Sequence, residues 1–328
     1  MAILILSHAE VEHLLPMAEC IDVMEDAFKA LGRNDFYQPL RTVTKPPQVK
    51  GVLATMPTFR SGTAPLFGLK AICVFPGNAD LGKDAHQGGV MLFDGTNGEP
   101  LALVNASAIT AIRTAAVSGL ATRLLAREEA HDLAIIGAGV QARTHLAAMS
   151  CVRRLNRVRV AAGHRSSADR FAAEMQSQSP CRIEAVESPA AAVRGADIIV
   201  TATTSRAPVV NREWISNGAH VNAVGTFSFN AREIDTATMA AATLFVDRRE
   251  SALNEAGDYL IAAKEGAIGP DHIQAELAEV VTGAHFGRRS PDEITIFKSL
   301  GLALEDLAAA DYVYHKARRE NLGTAVEF

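Results

Sequence analysis

Three cationic side chains in the first 115 residues stand where a charge could do chemistry. Lys70 interrupts the apolar run of residues 66–74, and Arg113 interrupts that of residues 108–117. Arg41 opens a further strand-like stretch. A buried cation is costly without an anion beside it, and arginine binds carboxylates in a bidentate way. Any one of them could instead point to solvent from a half-buried strand or helix. Together, the three favour a site for an anion.

Other kinds of catalysis find little support in the spacing of titratable residues. His86, next to a pair of glycines, could orient a ligand or simply satisfy a turn. The sequence contains no H-E-x-x-H, no G-x-S-x-G and no tight group of His, Cys and carboxylates. These patterns are expected of zinc enzymes and of serine hydrolases. The sequence therefore predicts no bound metal and no nucleophilic catalysis.

A glycine-rich turn is the second feature with chemical meaning. Its spacing is G-x-G-x-x-A, with Gly137, Gly139 and Ala142 at the small positions. Gly137 would allow a sharp turn, Gly139 would let a pyrophosphate approach the backbone, and Ala142 would let helix and strand pack closely. A strand-like run at 132–136 precedes the turn, and a helical pattern follows it. This context favours a dinucleotide-binding turn over a chance arrangement of glycines.

Strand and helix patterns alternate from residue 132 onward. Strands are predicted at residues 132–136, 158–162, 181–186, 197–202, 220–224 and 243–247, and helices at 145–151, 168–175 and 190–194. Such alternation is typical of a parallel sheet covered on both faces, and hence of an α/β, doubly wound Rossmann fold. Residues 252–283 are predicted to be helical, with a break at Gly269-Pro270.

The flanking sequence predicts a second, α+β sheet domain. A strand at residues 1–6 leads into two helical segments joined near Pro16. Further strands are predicted at 49–56, 67–75, 88–94 and 100–104, a long helix at 106–125, and a returning helix at 302–318. A chain of 328 residues also exceeds the size of one ordinary core. We predict a substrate-binding and dimerisation domain of residues 1–115 with 302–328, and an NAD(P)-binding domain of residues 116–301.

Residues 162–167 indicate which nicotinamide cofactor is preferred. An NAD-binding Rossmann domain usually carries an acid about 20 residues past the glycines, where it binds the ribose 2′-hydroxyl. No acid occurs here before Asp169, whereas Arg165 could receive a 2′-phosphate with help from His164 and Ser166. The sequence predicts a preference for NADP(H), with NAD(H) as a second cofactor that it could accept.

Bulk properties exclude several classes of partner. The net charge of −5 leaves no basic excess to neutralise a phosphate backbone, so no nucleic acid is expected. No stretch approaches the roughly 18 apolar residues of a membrane span, so no membrane partner is expected. The four cysteines are far apart without a C-x-x-C pair, which fits reduced thiols in a cytoplasmic protein.

The order of several motifs along nearly the whole chain resembles the ornithine cyclodeaminase and mu-crystallin family. The motifs lie at residues 38–42, 56–57, 70, 86–87, 109–118, 137–141, 220–225 and 297–301. The resemblance implies a Rossmann domain inserted into a sheet domain that pairs with its copy in a homodimer. It also implies hydride transfer between a nicotinamide ring and the carbon next to the carboxylate of an amino or imino acid.

The resemblance further implies the residues of the site. The substrate carboxylate would be held by Arg41, Lys70 and Arg113. We expect Lys70 and Arg113 to be catalytic, with His86 and Phe227 as further substrate contacts. The residues expected to contact the cofactor are Thr114, Gly137, Gly139, Val140, Gln141, His164, Arg165, Ser166, Thr203, Val224, Gly225 and Ser299.

Two positions depart from the cyclodeaminases of the family. Those enzymes carry an aspartate where Phe227 stands, and many members carry one where Asn105 stands. A phenyl ring offers no charge to the second ammonium of a diamino acid. We therefore expect an NAD(P)H-dependent reductase that converts a small cyclic imino acid, pyrroline-2-carboxylate or piperideine-2-carboxylate, to proline or pipecolate. The alternatives are an ornithine cyclodeaminase, and a mu-crystallin-like protein that binds NADPH and a ligand without turnover.

Overall fold

The computed structural model describes residues 2–327, with residues 79 and 80 described by their backbone alone. Met1, in the predicted first strand, and Phe328, in the first predicted domain, lie outside the described residues. The chain divides into two compact units. One contains the residues up to Thr114 and those from Gly301 onward, and the other is Ala115–Leu300.

The described residues form sixteen strands and eleven α-helices. The strands are β1 (Ala2–Leu6), β2 (Phe36–Tyr37), β3 (Thr42–Thr44), β4 (Val52–Arg60), β5 (Leu66–Val74), β6 (His86–Asp94), β7 (Pro100–Asn105), β8 (Asp132–Ile136), β9 (Arg157–Ala161), β10 (Arg182–Ala185), β11 (Ile198–Thr201), β12 (His220–Ala223), β13 (Thr243–Val246), β14 (Ile273–Glu276), β15 (Thr295–Lys298) and β16 (Thr324–Glu327). The helices are α1 (His8–Leu14), α2 (Met17–Gly32), α3 (Ala106–Leu125), α4 (Val140–Val152), α5 (Arg165–Met175), α6 (Pro189–Val193), α7 (Thr236–Ala241), α8 (Arg249–Glu255), α9 (Gly257–Lys264), α10 (Leu277–Val281) and α11 (Ala303–Glu320). None of these helices has both the length and the apolar character needed to cross a membrane.

A mixed sheet forms the centre of the first unit. Its strand order is β16-β1-β7-β6-β5-β4-β2, and β3 pairs with β4. β1 runs parallel to β7, and the other pairs are antiparallel. Helix α11 packs across β4, β5 and β6. The helix lies close to the sheet. A Cβ at Gly68 of β5 would come within 2.6 Å of Leu307 Cδ1.

A parallel sheet forms the centre of the second unit. Its strand order is β10-β9-β8-β11-β12-β15-β13-β14, and every adjacent pair is parallel. All residues of β11 and β12 are buried, as expected of strands covered on both faces. The α/β class, the parallel Rossmann-type sheet and the separate mixed sheet predicted from the sequence are confirmed.

Four strands were not predicted from the sequence, the shortest of them β2 (Phe36–Tyr37). Residues 252–283, predicted to be helical with one break, contain β14, so that prediction was wrong for Ile273–Glu276. β15 lies between β12 and β13, and β16 pairs with β1, although neither was assigned to a strand. A four-residue strand is too short for periodicity to distinguish it from a helix, so its neighbours in the sheet decide its state.

Candidate substrate and cofactor sites

Lys70 lies on the helix-covered face of the mixed sheet in the first unit. Along β5, Gly68, Lys70 and Ile72 alternate with more exposed residues, so their side chains share the buried face. The Lys70 side chain is 3% exposed. Its Nζ lies 2.8 Å from Asp306 Oδ2 and 3.4 Å from Thr110 Oγ1. The ammonium is therefore buried beside a carboxylate of the chain itself.

Arg113 of α3 joins the same cluster. Its Nε lies 2.9 Å from Asp306 Oδ1, and its Nη1 lies 2.6 Å from Glu305 Oε2. Both acids belong to the first turn of α11, where negative side chains suit the helix dipole. Gly301 has a φ of +79°, and a Cβ there would lie 2.6 Å from Arg113 Nη1. Only glycine fits this turn without displacing the guanidinium.

Residues from the segment before β3 hold the start of α11. Gln38 Oε1 accepts a hydrogen bond of 3.0 Å from the Leu304 N–H. Arg41 Nη2 donates to the Gly301 carbonyl at 2.9 Å. These contacts place the charge of Arg41 near Lys70, and this charge contributes to the lowered pKa of Lys70.

The charges of this cluster shift the pKa values of its members. Burial lowers the pKa of Lys70 to about 8, which Asp306 opposes and the positive charges of Arg113 and Arg41 support. Burial opposes ionisation of Asp306, but Arg113 and Lys70 hold its pKa below the ordinary value. Burial, and then the charges of Lys70 and Arg113, lower the pKa of His86. At neutral pH Lys70 is thus a charged acid, and His86 is neutral.

The structure supplies internal partners for two of the three predicted cations. The three cations were interpreted as a site for an external anion, but Lys70 and Arg113 already pair with Asp306 and Glu305. Sequence analysis missed both acids, although two adjacent acids at the start of a helix after Gly301 were a usable signal. The cluster of Lys70, Arg113, Glu305 and Asp306 therefore contains two cationic and two anionic side chains.

In the second unit, the residues predicted to contact the cofactor gather at one edge of the parallel sheet. They follow the carboxyl ends of five adjacent strands, β9, β8, β11, β12 and β15. In that order they are His164, Arg165 and Ser166; Gly137, Gly139, Val140 and Gln141; Thr203; Val224 and Gly225; and Ser299. Thr114 instead lies on α3, next to Arg113. Ligands of open parallel sheets bind at this carboxyl edge.

The glycine turn is tightly packed at Gly137 and open at Gly139. Gly137 has a φ of +121°, and a Cβ there would lie 2.3 Å from the Ala202 carbonyl oxygen. A Cβ at Gly139 would meet no atom within 4 Å, so space remains beside the backbone. Gly139 caps α4 without a side-chain hydrogen bond. Backbone N–H groups of the first helical turn therefore point toward an open, electropositive space.

Two further features at this edge bear on cofactor binding. Ser299 is buried, and its Oγ has no hydrogen-bond partner among the described residues. A buried hydroxyl without a partner is costly, so this atom fits a contact to a ligand. Arg165 begins α5; its Nε pairs with Asp169 Oδ1 at 2.8 Å, and its Nη1 pairs with Glu187.

The two positions that depart from the cyclodeaminase pattern have different surroundings. Phe227 follows β12 and is 43% exposed. Asn105 caps α3, because its Oδ1 accepts a 3.0 Å hydrogen bond from the Ala108 N–H. Within residues 2–327 as described, no group of three His, Cys, Asp or Glu side chains could hold a metal ion.

A parallel sheet with a glycine turn and an open helix N-terminus at its carboxyl edge defines a Rossmann-type, dinucleotide-binding fold. The chain belongs to the ornithine cyclodeaminase/mu-crystallin family, whose sequence profile matches residues 1–321. The family resemblance inferred from the motifs is thereby confirmed.

Three relatives show how far the similarity extends. Delta(1)-pyrroline-2-carboxylate reductase of Bacillus cereus is 37% identical over 326 residues, covering 99% of this chain and 100% of that protein. The structure of Thermococcus litoralis Delta(1)-pyrroline-2-carboxylate reductase in complex with NADH and L-proline has a TM-score of 0.95 at 41% identity, covering 99% of this chain and 100% of that chain. An archaeal alanine dehydrogenase dimer with bound NAD has a TM-score of 0.93 at 33% identity and covers 100% of both chains.

Proposed function

We propose that the protein is an NAD(P)H-dependent imine reductase that converts pyrroline-2-carboxylate or piperideine-2-carboxylate to proline or pipecolate. The observation that carries this proposal is the buried cluster of Lys70, Arg113, Glu305 and Asp306, in which the Lys70 ammonium, with a pKa of about 8, and the Arg113 guanidinium bind the same carboxylate. It is supported by relatives that reduce Delta(1)-pyrroline-2-carboxylate, one of them holding NADH and L-proline.

Each residue of the cluster has a role in this reaction. Arg113 and Arg41 hold the substrate carboxylate, and Glu305 and Asp306 hold the cations in place. When bound, the nicotinamide cofactor supplies a hydride to the imine carbon. Lys70 Nζ gives its proton to the imine nitrogen, so that the C=N bond becomes a secondary amine. Neutral His86 orients the ring, and Phe227 packs against its methylenes.

The second unit is proposed as the cofactor domain, within the predicted range of residues 116–301. Cofactor contacts come from the glycine turn and from the residues after β11, β12 and β15. Relatives with NADH and NAD bound support a nicotinamide cofactor. We further propose a preference for NADPH, because β9 ends without an acid and Arg165 at the start of α5 offers a guanidinium to a 2′-phosphate.

The first unit is proposed as the substrate-binding and dimerisation domain, within residues 1–115 and 302–328. The sheet face opposite α11 carries an apolar surface that includes Leu53 at 39% exposure and Phe67 at 47%. Phe59 stacks beside Phe67, with ring centroids 4.6 Å apart. A second copy would cover this surface in a homodimer, and light scattering of the purified chain tests this. The four free cysteines support a location in the cytoplasm, where thiols stay reduced.

A substrate panel tests the reaction. NADPH oxidation is followed with each cyclic imino acid and with pyruvate plus ammonia, and ammonia release is followed with ornithine. We expect turnover with the cyclic imino acids and negligible ammonia from ornithine. Ammonia release from ornithine would instead identify a cyclodeaminase, and tight NADPH binding without turnover would identify a binding protein. Turnover of pyruvate and ammonia alone would identify an alanine dehydrogenase.

A further inference from the structure

A buried carboxylate joins the ends of two central strands in the second unit. Glu233 is fully buried. Each of its two carboxyl oxygens accepts two hydrogen bonds. Oε2 accepts from Thr201 Oγ1 at 2.8 Å and from the Gly225 N–H at 2.7 Å. Oε1 accepts from the Thr203 N–H at 2.8 Å and from Thr203 Oγ1 at 2.6 Å. One side chain thus ties the segment after β11 to the segment after β12.

Glu233 is itself held by a second buried layer of charge. Asp258 Oδ1 accepts from the N–H groups of Glu233 and Ile234 at 2.7 and 2.9 Å. Asp258 Oδ2 lies 2.9 Å from Lys298 Nζ, which also donates to the Thr226 carbonyl at 2.7 Å. Lys298 is the last residue of β15. The network therefore links the carboxyl ends of β11, β12 and β15.

Four donors face the Glu233 carboxyl group, two of them backbone N–H groups and two of them hydroxyls. A carboxylate has about four acceptor positions, and all four are used here. Burial raises the pKa of Glu233, while hydrogen bonds from Thr203 and Thr201 and the charge of Lys298 act in the opposite direction. Apolar side chains would fill this space at a lower desolvation cost. The contribution of the carboxylate is therefore the geometry that it imposes on the backbone.

That geometry is tight. A Cβ at Gly225 would lie 2.3 Å from the Thr203 carbonyl oxygen and 2.4 Å from Glu233 Oε1. Thr203 and Gly225 are therefore held at a fixed spacing by their shared acceptor and by direct packing. Both are proposed cofactor contacts, and Ser299 with its buried hydroxyl follows directly after Lys298.

We propose that Glu233 is a positioning residue for cofactor binding, whose carboxylate holds Thr203 and Gly225 at the spacing that the nicotinamide cofactor needs. The proposal rests on the proposed function only in that a nicotinamide cofactor binds at this edge. It assigns to Glu233 no contact with the cofactor and no part in proton transfer.

The decisive variant is Glu233→Gln. A hydroxyl can turn to accept a hydrogen bond from the new amide group, but a backbone N–H cannot. In either orientation, the Gln NH2 faces the Thr203 N–H or the Gly225 N–H, and one of them loses its acceptor. We expect the NADPH dissociation constant, measured by fluorescence titration without substrate, to rise about tenfold, or roughly 1.4 kcal/mol. kcat at saturating NADPH should change less than about threefold, and amide exchange should accelerate in the cofactor-free protein at whichever of Gly225 and Thr203 loses its acceptor.

Asp197→Asn is the matched control. Asp197 Oδ2 likewise accepts from two backbone N–H groups, those of His131 and Asp132, but before β11 at the opposite edge of the sheet. This variant should lower thermal stability without changing NADPH affinity. If Glu233→Gln does not fold, Thr201→Val removes one donor to the carboxylate, and we expect a roughly threefold rise in the dissociation constant.

The outcomes separate the two proposals. A folded Glu233→Gln, or failing that Thr201→Val, with wild-type NADPH affinity and unchanged amide exchange overturns the role of Glu233. Wild-type protein that binds neither NADPH nor NADH overturns the proposed function itself. Equal losses of affinity in Glu233→Gln and Asp197→Asn would show a general loss of stability and would also reject the positioning role.

Discussion

Lys70 and Asp306 form an ion pair in which Nζ and Oδ2 lie 2.8 Å apart and both side chains are buried. Asp306 Oδ1 also binds Arg113 Nε at 2.9 Å, so one carboxylate serves two cations. Burial lowers the pKa of Lys70 to about 8, Asp306 opposes this shift, and the positive charge of Arg113 supports it. The pair therefore places a proton donor that titrates near neutral pH beside a guanidinium that stays charged.

The first prediction concerns the pH dependence of kcat. If protonated Lys70 donates to the imine nitrogen, kcat should fall above about pH 8, toward a tenfold loss per pH unit. The free energy of unfolding should instead increase as the pH rises above about 8. Because the pKa of Lys70 is lower in the folded chain than in the unfolded one, the unfolded chain binds more protons above pH 8, and Lys70 then favours folding as pH rises. Measuring kcat and the melting temperature from pH 6 to 10 separates the two effects.

Lys70→Arg is the control for this profile. Arginine stays charged throughout this range, so any remaining activity should lose the decline near pH 8. A decline that persists unchanged in Lys70→Arg would assign it to another group.

The second prediction concerns Arg113. Alanine here would leave Glu305 and Asp306 with less positive charge, and would destabilise the fold by about 3–5 kcal/mol. Arg113→Lys keeps the positive charge but loses the bidentate geometry of the guanidinium. The KM for the imino acid should therefore rise roughly tenfold. Arg60→Lys makes the same change at the half-buried Arg60–Asp311 pair of the same unit and should leave KM unaltered. A wild-type KM in Arg113→Lys, as expected for Arg60→Lys, would show that Arg113 has a purely structural role.

The third prediction concerns Ser299. Its buried hydroxyl has no partner among the described residues, so Ser299→Ala should leave the cofactor-free melting temperature unchanged or slightly higher. If the hydroxyl binds the cofactor, the NADPH dissociation constant should rise by roughly threefold to tenfold. Thr238→Val removes another buried hydroxyl without a described partner and should not affect NADPH binding. Unchanged affinity in Ser299→Ala would exclude Ser299 from the cofactor site.

The fourth prediction concerns cofactor choice. Asp169 and Glu187 both pair with Arg165, so a 2′-phosphate must compete with them. Glu187→Gln should raise the ratio of kcat/KM for NADPH over NADH, and Arg165→Ala should lower it, each by several-fold. An Arg165→Ala enzyme that keeps the wild-type ratio, or a wild-type enzyme that favours NADH, would refute the predicted preference.

The fifth prediction concerns Phe227. An aspartate there would place a negative charge near the apolar methylenes of a cyclic imino acid, so Phe227→Asp should raise KM for pyrroline-2-carboxylate about tenfold or more. Phe286→Asp changes a more exposed phenylalanine of the same unit and should have no effect on KM. A Phe227→Asp enzyme with wild-type KM would remove Phe227 from the substrate site.

The local parts of this structure followed from the sequence alone. The glycine turn was predictable because a sharp turn with positive φ and an open helix start require small residues at fixed positions, here Gly137 and Gly139. The helix Ala106–Leu125 was predicted with the observed bounds. Periodicity and glycine spacing report neighbouring residues, so they predict turns and long elements well.

The pairing of charges was decided by the tertiary structure. The sequence showed that Lys70 and Arg113 needed an anion, but Asp306 lies 193 residues beyond Arg113 in the chain. Likewise, the four donors to Glu233 meet only because parallel strands bring their carboxyl ends to one edge of a sheet. Residue types determine which groups must find a partner. Which partner they find depends on long-range packing of sheets and helices, and no local pattern in the sequence encodes that.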